Sequence, residues 1–96
     1  MGIEELLADK REGILAIAAK HGAYKIRVFG SVARGEARDD SDVDFLGSAG
    51  TNRSAWFSVG LKLDLEDLLG REVDVATEKT LHDMIHDRVL TEAIPL

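Results

Sequence analysis

The stretch that decides the fold is Phe29–Phe45, which reads F-G-S-V-A-R-G-E-A-R-D-D-S-D-V-D-F. Side chains alternate faces along an extended strand, so Asp42 and Asp44 are predicted to point the same way, with their Cα atoms about 6.6 Å apart. Two carboxylates at that separation repel each other unless a cation or a proton lies between them. Because oxygen ligands suit Mg²⁺ or Mn²⁺, this pair is interpreted as a metal platform.

Gly30 and Ser31 form the second chemical part of the stretch. They follow an apolar run and precede a helix-compatible segment, so they offer backbone N–H groups, a hydroxyl and a positive helix end to a phosphate. Gly-Ser is also ordinary turn chemistry. Its occurrence on the strand before the two carboxylates indicates transfer of a nucleotide phosphoryl group assisted by Mg²⁺.

Together these residues match the motif of a known family. The matching positions are Gly30, Ser31, Arg34 and Gly35, then Ser41, Asp42 and Asp44. The pattern resembles the G-S-x-x-R-G…S-D-x-D signature of the polymerase-β-like nucleotidyltransferases. It looks most like their minimal branch (MNT), encoded beside HEPN-domain proteins in prokaryotes. The resemblance covers nearly the whole chain apart from Ser48–Val59. It includes Gly70–Val75 as the strand with the third carboxylate and Glu92–Leu96 as part of the last helix.

The resemblance implies a role for each acidic residue. Asp42 and Asp44 would hold two Mg²⁺ ions, one bridging the phosphates of the nucleotide and one near the acceptor, with Mn²⁺ as the alternative metal. Asp74 would complete the second metal site and assist deprotonation of the acceptor hydroxyl. Gly30 and Ser31 would bind the β- and γ-phosphates.

The other motif residues are predicted to have structural roles. Gly35 is expected to end a short helix, and Arg34 to brace the acidic loop. Ser41 fits a turn or capping residue as well as a site residue. Asp74 can also be interpreted as a solvent-facing residue without a role in the site, because a charged residue between two valines of a strand usually faces solvent. If its strand neighbours that of Asp44, three carboxylates converge on one face of the sheet.

Composition restricts the class of protein. The chain has 96 residues, which suit a single domain spanning 1–96, and no cysteine, which excludes a thiolate zinc site. The net charge of −6 argues against a direct grip on nucleic acid. Without a signal-like or membrane-spanning apolar run, the expected location is cytoplasmic and no membrane partner is expected.

Hydrophobic periodicity predicts an α/β (α+β) fold in the order α-β-α-β-α-β-α, a palm-like unit with helices packed on a small mixed three-stranded sheet. The predicted helices are Ile3–Lys20, Ala55–Leu69 and Leu81–Ala93, with Val32–Glu36 as a short helix or turn. The predicted strands are Tyr24–Phe29, Val43–Leu46 and Glu72–Thr77, with a loop at Gly47–Ser54. The roles of Trp56 and Phe57, in the core or at a partner contact, stay open.

The resemblance implies a Mg²⁺-dependent nucleotidyltransferase that transfers AMP from ATP, or another nucleotide from its triphosphate, to a hydroxyl of a partner protein. That partner would be a HEPN-domain toxin, with this chain as its antitoxin. Two alternatives remain: a non-catalytic antitoxin that neutralises the toxin by binding, and a subunit that modifies a small hydroxylated molecule such as an antibiotic. Homodimer formation stays open.

Overall fold

Helices and strands alternate along the chain, as the hydrophobic pattern predicts. The computed structural model describes residues 2, 6–38, 40–49, 57–77 and 83–96. The helices are α1 (Arg11–Lys20), α2 (Gly30–Ala33), α3 (Phe57–Leu69) and α4 (Asp83–Glu92), and a 3₁₀ turn at Ala8–Lys10 precedes α1. The strands are β1 (Ala23–Phe29), β2 (Val43–Ala49), β3 (Val73–Ala76) and β4 (Ile94–Pro95). Within these ranges no helix has the length and apolar character needed to cross a membrane.

The sheet is mixed and has the strand order β3-β2-β1-β4. Strand β1 runs antiparallel to both β2 and β4, whereas β2 and β3 are parallel. The predicted α+β class and mixed sheet are therefore confirmed, but the sheet has four strands rather than three. Strand β4 is only two residues long and contains Pro95, so no alternating pattern could indicate it.

The main core lies between the sheet and helices α1 and α3. Val43 and Phe45 of β2 are buried, and they pack with the apolar faces of the two helices. The helical core residues are Ile14, Ala18, Leu61 and Leu65, with Leu68 and Leu69 packed against them. The apolar stripe predicted for α3 is thus confirmed where the structure describes it.

A polar contact joins the two core helices at the surface. His21 Nε2, just after α1, lies 2.6 Å from Asp64 Oδ2 on α3. This hydrogen bond lowers the pKa of Asp64 below its ordinary value. Gly60 leaves the space for the imidazole, since a Cβ built there would lie 2.9 Å from His21 Cε1. A small residue on α3 therefore lets α1 and α3 approach at this point.

Several predicted boundaries differ from the observed ones. The first α-helix begins at Arg11 and is preceded by the 3₁₀ turn, whereas Ile3–Lys20 was predicted as one helix; residues 3–5 lie outside the described part. The predicted loop from Gly47 is wrong for residues 47–49, which extend β2. Gly47 fits there because a Cβ would lie 3.1 Å from Ile26 Cδ1, which requires a small residue in the strand. Trp56 lies outside the described residues.

The end of the sequence is a strand rather than a continuation of the last helix. Helix α4 ends at Glu92, and β4 then pairs with β1 so that Ile94 lies opposite Val28. The N–H of Leu96 donates to Ile26 O at 3.0 Å. Nε of Arg11 donates to Leu96 O at 2.8 Å. These contacts fix residues 94–96 along the edge of β1.

Candidate active site

Strand pairing brings the predicted acidic residues to adjacent positions. Asp44 of β2 lies opposite Asp74 in the parallel register of β2 and β3, and Asp42 directly precedes β2. Val43 and Val73, which alternate with the acids, are buried in the core. By strand alternation Asp42, Asp44 and Asp74 belong to the face opposite that core. The sheet thus places the three acids on one face, at the start of two neighbouring strands.

The electrostatics of Asp44 reflect this crowding. Partial burial is the main reason why the pKa of Asp44 rises to about 6, and the neighbouring charges of Asp74 and Asp42 raise it further. The nearby guanidinium of Arg34 acts in the opposite direction. Ionisation of Asp44 is therefore less favourable than that of an ordinary aspartate, and a positive charge nearby would favour it.

The donor set fits a hard divalent cation, since it consists of carboxylate oxygens in a region with excess negative charge. Within the described ranges, no three His, Asp or Glu side chains are already arranged to enclose an ion. Binding of a metal would therefore require the carboxylates to turn towards it. The register that sets Asp44 beside Asp74 favours such a cation, and the raised pKa of Asp44 agrees with it.

Gly30 forms a tight turn directly beside Asp44. Its φ of +74° lies in the left-handed region, which favours glycine. A Cβ at this position would collide with Oδ2 of Asp44. Phe29, the residue before it, pairs with Asp44 across β1 and β2. The Gly30-Ser31 turn and the acidic face are therefore in direct contact.

The short helix α2 spans Gly30–Ala33 rather than the predicted Val32–Glu36, and Gly35 follows just beyond its end. Gly35 has φ +75°, and its N–H donates to Val32 O at 3.1 Å. The N–H of Glu36 donates to Ser31 O at 2.8 Å. These bonds keep Ser31 in one turn of helix beside the acidic strands.

Arg34 binds two acidic residues, one of which sequence reasoning missed. Its Nε donates to Glu36 at 3.0 Å, and its Nη1 donates to Glu92 at 2.9 Å. Glu92 also accepts the N–H of Gly30 at 3.3 Å. No motif indicates Glu92, because its position depends on the pairing of the two-residue strand β4.

Arg71 is a second residue that the motif does not indicate. Its Nη1 donates to Arg38 O at 3.0 Å and to Ser41 O at 3.1 Å. Ser41 Oγ accepts the N–H of Arg38 at 2.8 Å, so Ser41 is a turn residue in this structure. Arg71 thus ties the turn before Asp42 to the segment that leads into β3.

We expect Arg71→Ala to lower the free energy of unfolding by about 1–2 kcal/mol, because two backbone carbonyls lose a charged donor. Urea unfolding measures this change. Arg71→Lys should recover part of the loss, since an ammonium can still reach a carbonyl. Lys62→Ala, an exposed change on α3, should alter stability by less than about 0.5 kcal/mol. Equal effects of Arg71→Ala and Lys62→Ala would show that the hydrogen bonds of Arg71 do not contribute to the free energy of unfolding.

Comparisons with known proteins agree with this architecture. The family model described as nucleotidyltransferase domain matches residues 11–96. A Methanocaldococcus jannaschii protein named as a candidate protein adenylyltransferase is 43% identical over 94 residues, which are 98% of this chain and 97% of that protein. The protein adenylyltransferase MntA of Thermococcus cleftensis is 39% identical over 93 residues, which are 96% of this chain and 90% of that protein.

Two solved structures share the fold. The structure of a candidate minimal nucleotidyltransferase superimposes with a TM-score of 0.86 at 49% identity, covering 100% of this chain and 97% of that one. A toxin–antitoxin structure with AMP-PNP superimposes with a TM-score of 0.76 and covers 90% of this chain and 71% of that one. Its identity is 19%, so this second likeness concerns the fold alone.

Proposed function

This chain belongs to the nucleotidyltransferase domain family, and we propose that it is a protein adenylyltransferase that transfers AMP from ATP to a hydroxyl of a HEPN-domain toxin. The observation that carries the proposal is the placement of Asp44 between Asp74 and the Gly30 turn. A phosphate-binding turn and a set of carboxylates thereby meet at one point of the sheet. Two relatives that match nearly the whole chain are named as adenylyltransferases, one of them as a candidate.

In the proposed reaction, the acceptor oxygen attacks the α-phosphorus of ATP. The bond between the α-phosphorus and the bridging oxygen breaks, and pyrophosphate leaves with that electron pair. Gly30 and Ser31 bind the β- and γ-phosphates through N–H groups and the hydroxyl, which orients the leaving group in line with the attack. Asp74 assists by accepting the proton of the acceptor hydroxyl.

Asp42, Asp44 and Asp74 are the residues that would hold Mg²⁺, and Mn²⁺ fits the same oxygen donors. When bound, the metal supplies positive charge to the phosphates and lowers the pKa of a coordinated hydroxyl. The chain itself contributes the rigid pairing of β2 with β3, which keeps Asp44 and Asp74 in register. Arg34, Gly35 and Ser41 support the site by shaping the two turns that border it.

A protein acceptor agrees with the charge of the chain. The net charge of −6 disfavours a polyanionic acceptor such as RNA or DNA. A hydroxyl on a folded partner avoids that repulsion. The toxin–antitoxin structures with the same fold are consistent with a toxin partner.

The deciding experiment is the intact mass of the co-purified HEPN-domain neighbour after incubation with ATP and Mg²⁺. We expect a gain of one or more adenylyl units, ~329 Da each. Asp42→Asn should abolish the gain. Asp67→Asn, the same change at an exposed position of α3, should leave it intact.

A tight complex without any mass gain would contradict the proposal and favour an antitoxin that acts by binding alone. Modification of a small hydroxylated compound by the purified pair, with none of the partner protein, would instead identify a small-molecule transferase. Mass analysis of both the protein and the small-molecule fractions separates these outcomes.

A further inference from the structure

The carboxylate of Glu92 bridges the two ends of the short helix α2. Its Oε2 accepts the N–H of Gly30 at 3.3 Å, and its Oε1 accepts Nη1 of Arg34 at 2.9 Å. The bond from Arg34 is the main reason why the pKa of Glu92 lies below its ordinary value, with the N–H of Gly30 as a further cause. Glu92 is therefore an anion at neutral pH, held by one backbone donor and one guanidinium.

The backbone fixes this position. Strand β4 pairs with β1 so that Ile94 lies opposite Val28. Glu92 ends α4 two residues before Ile94, and Gly30 begins α2 two residues after Val28, so this pairing brings the two helix ends close together. The side chain of Glu92 is only 20% exposed, so it is held close to the surface of the turn. The pairing of β4 with β1 and the low exposure of Glu92 thus both support the contact.

A backbone N–H carries a single hydrogen, so Gly30 cannot donate fully to Glu92 and to a phosphate oxygen at the same time. A carboxylate and a phosphate oxygen also compete for the same guanidinium. We propose that Glu92 is an internal anion that exchanges with the nucleotide phosphates at Gly30 and Arg34, and that it thereby determines the affinity of the site for ATP and pyrophosphate. This inference rests on the proposed function, in which Gly30 binds phosphate.

Two features of the contact suit such an exchange. The distance of 3.3 Å from Gly30 N to Glu92 is long for an N–H···O bond, so this bond is weak and readily replaced. The negative charge of Glu92 also adds to the acidic charge around Asp44. When phosphate displaces Glu92, Nη1 of Arg34 can donate to the phosphate while Nε stays on Glu36. When pyrophosphate leaves, Glu92 returns and satisfies both donors.

Glu92→Gln tests the exchange, because it keeps the size of the side chain and removes its charge. A neutral acceptor competes less well for the two donors, so we expect the Kd for pyrophosphate with Mg²⁺ to fall about three- to tenfold. The Kd for ATP with Mg²⁺ should fall by a similar factor. Isothermal titration of the full chain measures both constants.

Glu36→Gln is the matched control. Glu36 also binds Arg34, at 3.0 Å from Nε, but Gly30 donates to Glu92 and not to Glu36. The same loss of charge at position 36 releases Arg34 but not Gly30, so it should lower either Kd clearly less than Glu92→Gln does. If Glu36→Gln and Glu92→Gln tighten binding equally, general charge repulsion explains the effect and the exchange is wrong. If Glu92→Gln weakens binding, Glu92 supports the site and the exchange is equally wrong.

The amide resonance of Gly30 provides a readout without any ligand. Glu92→Gln should shift it in the free protein, whereas Glu36→Gln should not, and an unshifted resonance would contradict the contact itself. Glu92→Asp, which is too short to reach both donors, replaces Glu92→Gln if that variant does not fold. If the unsubstituted protein binds neither ATP nor pyrophosphate, the proposed function fails together with the exchange. If it binds both and Glu92→Gln changes nothing, only the exchange fails.

Discussion

Gly30→Ala is expected to destabilise the protein by about 2–5 kcal/mol and to lower nucleotidyl transfer about 100-fold or more. The left-handed φ of Gly30 costs any other residue about 1–2 kcal/mol. The new Cβ would also collide with the carboxylate of Asp44, and overpacking of this kind adds about 1–3 kcal/mol. Activity falls further because both the turn and Asp44 must move, and a displacement of about 1 Å is enough for a loss of that size.

Gly35→Ala is the control that separates the two causes. Gly35 has nearly the same φ, +75°, but a Cβ there meets nothing within 4 Å. We expect only the conformational cost of about 1–2 kcal/mol from this change. Asp44→Ala in the Gly30→Ala background should recover about 1–3 kcal/mol relative to additivity. Equal losses for Gly30→Ala and Gly35→Ala would mean that Asp44 does not limit the space at the turn.

Asp44→Asn should raise the melting temperature of the metal-free protein at pH 8 while reducing transfer about 100- to 1000-fold. The pKa of Asp44 is raised from 3.8 to about 6 in the folded protein, so ionised Asp44 opposes folding. A shift of about two units corresponds to about 3 kcal/mol. Because Asp44 is only partly buried, solvent screening reduces this to about 1–2 kcal/mol. For a domain of this size, that corresponds to about 4–16 °C.

The pH dependence of this effect has a definite sign. A raised carboxyl pKa means that the folded protein binds the proton more tightly than the unfolded chain. The unsubstituted protein should therefore lose stability as the pH rises from about 4 to 6, and Asp44→Asn should not show that loss. Below pH 4 the two proteins should melt alike. Asp67→Asn controls for net charge, and a lower melting temperature for Asp44→Asn at pH 8 would contradict the crowding of the carboxylates.

Local pattern was enough to predict most of the architecture. Apolar and acidic residues alternate around Asp44, and leucines recur at helical spacing in α3. Each pattern predicts one buried face, and the structure confirms both faces. Strand β4 could not be predicted, because two residues with a proline have no periodicity. Glu92 was missed for the same reason, since the pairing of β4 with β1 is what brings the end of α4 next to Gly30.

Among the site residues, too, some could be predicted from local sequence and others depend on how the strands pair. Asp42, Asp44 and Gly30 are local in sequence, so spacing and family resemblance could propose them together. Asp74 required the further assumption that β3 neighbours β2, and the sheet order agrees with it. Arg71 acts through bonds to the carbonyl oxygens of residues 38 and 41. Every residue has a backbone carbonyl, so the sequence does not indicate which carbonyl oxygens an arginine will bind.

The short strand β4 also has a consequence for association between molecules. An outer strand with free N–H and C=O groups can recruit strands of other chains and start aggregation. Here one outer strand is only two residues long and includes Pro95, which has no N–H to offer. The other outer strand, β3, has four residues and exposes Asp74. These two features reduce the length of regular strand that each border of the described sheet offers to a second molecule.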